Sequence, residues 1–141
     1  MNYSDLENDK MIKRGKFSKR QIEETMNLAK RDIETAKKIV DDDPDWGFSI
    51  AYNAMLQASR ALMLHKGYRP IGERQHVTVI EFVKIAFEKK FATSVEFMDR
   101  MRRKRHKAIY DVGGLISTKE ALEAIENATF FVQNVTDILH S

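Results

Sequence analysis

Residues 44–66 read PDWGFSIAYNAMLQASRALMLHK. Trp46, Phe48, Ile50, Ala51, Ala54, Met55, Ala58, Ala61, Leu62 and Leu64 cover more than one face when the stretch is wound as a helix. A helix apolar on several sides has to be packed from several sides, so this one is read as central. Its alanines at 51, 54, 58 and 61 recur every three or four residues, which lets neighbouring helices approach closely. Asp43 is placed to cap the segment and Pro44 to take its first helical position, while Gly67 supplies a left-handed stop.

Outward from this segment the same period recurs. On the N-terminal side, Ser18 with Gln21 makes a capping box, and Ile22, Met26, Leu28, Ala29, Ile33, Ala36, Ile39 and Val40 keep helical spacing. On the C-terminal side, residues 67–73 form a loop, and Val77, Ile80, Phe82, Val83, Ile85, Ala86 and Phe87 resume the pattern. A second capping box, Thr93 with Glu96, is read as opening a fourth helix that stops at Gly113 and Gly114. Ser117 with Glu120 opens a fifth, carrying Leu122, Ile125, Ala128, Thr129, Val132, Val135 and Leu139. No stretch alternates as a strand does. The spacing therefore predicts an all-α fold, an antiparallel up-and-down bundle of four to five helices with short connections. Residues 1–17 read as an N-terminal arm, loose or a short helical lead-in, and residues 18–141 as a single domain.

Composition limits the function classes. Six glycines and two prolines in 141 residues favour long helices, and 43% apolar with 32% charged residues suits a globular chain. The absence of cysteine excludes disulfides, thiolate ligands and a cysteine nucleophile, and fits a reducing compartment. Without a signal-type apolar run or an 18-residue apolar stretch, the expectation is a cytoplasmic protein with no membrane association. No HxxxH or HExxH spacing and no Gly-rich phosphate loop is present, so neither a metal nor a cofactor is expected.

The net charge is only +3, but it is concentrated. Residues 99–107 hold six Lys or Arg against one Asp, whereas residues 41–45 hold four aspartates. At about 100° per residue, with Met98 as zero, Arg102 lies near 40°, Arg105 near −20° and Ile109 near 20°. Two arginines thus share the stripe that Val95, Met98 and Ile109 need for packing, while Arg103, Lys104 and Lys107 fall on the far side. Arg102, His106 and Tyr110 follow one another at i+4, with Arg105 beside them. A guanidinium directed inward cannot shed its charge, so it must meet a carboxylate, a cleft or an anionic ligand. With no Gly-rich phosphate loop in the chain, any phosphate or nucleotide would have to be met by guanidinium groups such as those of Arg102 and Arg105.

Two blocks resemble the HEPN domain family: AYNAMLQASRALMLHKGYRP (51–70), similar to its second-helix signature, and RRKRHKAIYD (102–111), similar to its site helix. Together with the helix order the likeness spans roughly residues 17–138. In catalytic members the motif is an Arg, a polar residue, three variable residues and a His. The resemblance then lays the catalytic positions on Arg105, His106 and Tyr110, with Tyr110 standing where the final His would be. It implies RNA or a nucleotide as ligand, a homodimer, and a nucleotidyltransferase as partner protein in a toxin–antitoxin type of pair. In active members the same elements carry out metal-independent RNA cleavage.

A tyrosine titrating near 10 serves poorly as a general base near neutral pH, whereas His106 has the right range. Enzyme and non-catalytic interaction module therefore both stand as readings, and a third makes Arg102 and Arg105 ion-pairing residues of a dimer. Among other residues, His65 suits the end of the central helix, His76 either faces the site or serves as a cap or surface residue, and His140 is terminal. Asp99 and Asp111 bracket the basic run as charge compensation, and Arg60 and Tyr52 either support the site or pack.

Overall fold

The computed structural model describes residues 1–87, 89, 91–107 and 115–141. Among these it contains six helices and one pair of strands: α1 (Tyr3–Asn8), β1 (Ile12–Arg14), α2 (Lys19–Ile39), α3 (Pro44–His65), β2 (Tyr68–Pro70), α4 (Gln75–Phe87), α5 (Ala92–His106) and α6 (Thr118–Leu139). The helices pack as a bundle, as the spacing predicts. No helix among the described residues is long and apolar enough to cross a membrane.

Helix α3 is the axis of the bundle, and its most extensive packing is against α2 and α6. All four of its regularly spaced alanines are fully buried, so backbones meet closely along its length. Helix α2 lays Met26, Ala29, Ile33 and Ala36 onto it. It also buries Asp32, whose carboxylate accepts a hydrogen bond from Asn53 Nδ2 of α3 at 2.9 Å. A buried carboxylate needs its partner, and this bond fixes the register of the pair. From the other side α6 contributes Ala121, Ala124, Ala128, Phe131 and Val135. Trp46 and Leu122, both counted with the apolar positions above, are instead about half exposed.

The helix ends follow their side chains. Ser18 and Gln21 form the reciprocal capping box, Asp43 accepts from the Trp46 N–H above Pro44, and Ser117 accepts from the Glu120 N–H. Gly67 takes φ +87°, the left-handed stop after α3.

Two expectations are corrected. Helix α5 does not open on a Thr93–Glu96 box; its N-cap is Phe91, in the left-handed region at φ 63° with no side-chain cap. The Phe91 ring packs edge-on against Phe87 at 5.3 Å and Phe130 at 6.3 Å, and this packing holds a backbone conformation that local chemistry would not choose. Strands, absent from the sequence reading, occur as an antiparallel pair with Ile12 opposite Pro70 and Arg14 opposite Tyr68. Of the two forms expected for the N-terminal stretch, the short helix is the one present: Leu6 of α1 is fully buried, and Tyr3 stacks on Phe82 of α4 at 4.6 Å. The predicted stop at Gly113 and Gly114 lies outside the described residues.

Candidate functional site

Helix α5 buries Ser94, Val95, Met98 and Met101 on one face. Continuing that face by three or four residues reaches Arg102 and Arg105, and both are half-buried where Arg103 is exposed. Lys104, expected on the solvent side, is also half-buried, because it forms an ion pair with Glu120 of α6. Arg102 Nε lies 3.3 Å from one oxygen of Asp99, and Arg103 lies 3.3 Å from the other. Asp99 thus compensates the basic run as expected, but it serves two arginines at once.

Arg105 has a different setting. Its Nε donates to Ser49 Oγ at 2.7 Å, and its guanidinium carbon stands 5.6 Å over the Tyr52 ring. Ser49 and Tyr52 are one turn apart on α3, with Arg60 two turns further along the same face. A neutral hydroxyl and a π face orient a guanidinium, the latter contributing roughly 0.5–2 kcal/mol, yet neither cancels its charge. No carboxylate among the described residues pairs with Arg105.

Helix α4 completes the arrangement. His76 lies in its first turn, and His76 Nδ1 is 3.2 Å from the Tyr52 hydroxyl. Burial pushes the Tyr52 phenol well above its ordinary value, partly opposed by Arg105, Arg102 and Arg60. The hydroxyl therefore stays protonated and can donate to His76. Burial also holds the His76 imidazole below its ordinary value, and Arg60, Arg105 and Arg102 add to the effect, so the ring is neutral near pH 7. Burial likewise lowers Arg60, with Tyr52 acting in the opposite direction; an arginine remains charged regardless.

His76, Arg102, Arg103, Arg105, His106 and Lys107 line one groove of about 510 Å³. Of the residues predicted for the site, Arg102, Arg105 and His106 meet there, while Tyr110 lies outside the described residues. Tyr52 and Arg60 stand behind the groove, and His76 is part of its wall. Ser49 was not legible as a site residue; the only hint was its three-residue spacing from Tyr52. A cavity of about 630 Å³ at the far end of α3 is lined by Lys19, Glu23, Lys30, His65 and His140 among others. Its charges are of both signs, so it brings no single kind of group to a focus. Among the described residues no cluster of three or more His, Asp or Glu side chains is placed to hold a metal ion.

Fold and groove together define a mostly helical bundle, with one small strand pair, whose most basic helix faces a cationic inter-helix cleft. The chain belongs to the HEPN domain family, whose family model matches residues 22–138. That family is associated with ribonuclease activity and toxin–antitoxin systems. No curated protein matches the chain.

Proposed function

We propose that this HEPN-family chain binds an RNA or nucleotide phosphate in the α4–α5 groove through Arg102 and Arg105. In this reading it acts in the cytoplasm as a homodimer, the HEPN partner of a nucleotidyltransferase in a toxin–antitoxin type of pair. The observation that carries it is Arg105: a half-buried guanidinium at a groove wall, held by a hydroxyl and a ring, with no carboxylate partner among the described residues. A cation so placed is satisfied by an anionic ligand, and a guanidinium matches phosphate oxygens in geometry as well as charge. Ribonuclease activity at the same groove is the second reading, favoured by His106 lining it beside Arg105.

Titrating a short single-stranded RNA into the protein at rising salt tests the first reading. Each neutralised phosphate contributes a slope of about −0.7 in log affinity against log salt, so two or three contacts give roughly −1.5 to −2. No detectable binding at low salt, or binding indifferent to salt, excludes the phosphate site. Incubating the same RNA with the protein in the presence of a chelator decides the second reading, because intact RNA removes the ribonuclease.

A further inference from the structure

The proposed groove presents one wall residue that neither arginine chemistry nor the basic helix accounts for. His76 belongs to α4, yet it meets Tyr52 of α3 through Nδ1 and shares the groove with Arg102 and Arg105 of α5. We infer that His76 is a third arm of the groove which takes up a proton as a phosphate enters, so that the site prefers a terminal phosphate monoester to an internal diester linkage. This rests on the phosphate-binding reading given above.

The geometry provides for both charge states of the ring. Nδ1 is engaged by the Tyr52 hydroxyl, which leaves Nε2 as the nitrogen for a ligand. A hydroxyl can donate to the Nδ1 of a neutral imidazole or accept from the Nδ1–H of a charged one. Protonation therefore reverses one hydrogen bond without breaking it. The groups facing His76 are Tyr52 and Arg60 from α3 and Arg102 and Arg105 from α5, with Arg103, His106 and Lys107 along the rest of the groove.

Charge count favours the monoester. Around the ring and along its groove, Arg60, Arg102, Arg103, Arg105 and Lys107 are set against the carboxylate of Asp99, which is already shared by Arg102 and Arg103. A dianionic monoester offsets that surplus better than a diester carrying one charge. A dianion beside the imidazole also stabilises its protonated form, reversing the effect of the surrounding guanidinium groups. The free ring is neutral above its lowered value, so binding between pH 6.5 and 8 draws up to one proton from solution. The affinity then falls as pH rises through that window, by at most about tenfold per pH unit. A phosphate monoester, with a second pKa near 6, is mainly dianionic throughout the window, so the change arises in the protein.

Two short single-stranded RNAs of one sequence, differing only in a 5′-phosphate, are compared by calorimetry at pH 6.5 and 8.0 with the full chain and with His76→Gln. The wild-type chain is expected to prefer the phosphorylated probe at least about fivefold at pH 6.5, because the terminal phosphate adds nearly two negative charges and a single unit charge at about 4 Å in water-like surroundings already implies that factor. That preference should shrink at pH 8.0, and both the preference and its pH dependence should be lost in His76→Gln. The His76 ring, followed by NMR in the wild type, should titrate at higher pH when the phosphorylated probe is bound, a readout that does not depend on how the variant folds. Equal binding of the two probes at both pH values, or a ring unmoved by the probe, overturns the role of His76 and leaves the phosphate site standing. Failure of both probes to bind overturns both.

Discussion

Replacing Arg102 and Arg105 together by alanine is expected to weaken RNA or nucleotide binding by at least about a hundredfold, since each charge-assisted contact contributes roughly 1.5–3 kcal/mol. The fold should tolerate the change. Arg102 is a partly exposed ion pair with Asp99, a type of contact that contributes little. Arg105 gives up one hydrogen bond to Ser49 and a ring contact with Tyr52. Lys37→Ala with Lys38→Ala removes the same charge from the exposed side of α2 and leaves the groove intact. Near-wild-type affinity in that control separates a built site from diffuse attraction, while equal losses in the two double variants point to diffuse attraction. If sedimentation shows the arginine double variant turning from dimer to monomer with unchanged ligand affinity, the arginines are interface ion pairs.

Phe131→Ala is expected to have the largest effect on stability, a loss of about 3–5 kcal/mol and a fall in thermal midpoint on the order of 15 °C. Phe131 is fully buried on α6 and meets the Phe87 ring edge-on at 5.8 Å. Phe87 in turn meets Phe91, and Phe91 meets Phe130. This chain of rings joins the end of α4 and the start of α5 to α6, so it seats the helix that bears the groove arginines. Denaturant unfolding followed by circular dichroism measures the loss, and a variant within about 1 kcal/mol of wild type would contradict this role for the ring chain.

What the sequence made legible was whatever chemistry is local. Ser18 with Gln21, Asp43 with Pro44, and Gly67 announce helix ends because each acts within one turn of itself. The inward tilt of Arg102 and Arg105 was legible for a related reason, since the period of one helix places them behind Val95 and Met98. Features decided between elements were not legible. The start of α5 depends on rings from α4 and α6, and the strand pair joins three residues to three others more than fifty positions away, too short for alternation to show. In the same way Lys104 finds Glu120 on α6, and Arg105 finds Ser49 and Tyr52 on α3. His76 was readable as a candidate, but its place in the groove wall depends on how α4 docks against α3.

The most direct measurement is a map of amide and side-chain NMR shifts as a short 5′-phosphorylated RNA is added to the isotopically labelled chain. The largest shifts are expected at Arg102, Arg105 and His76, with Tyr52 and Ser49 following. Shifts centred instead on Lys19, Lys30, His65 and His140, around the cavity at the opposite end of α3, would contradict a phosphate site on the basic helix.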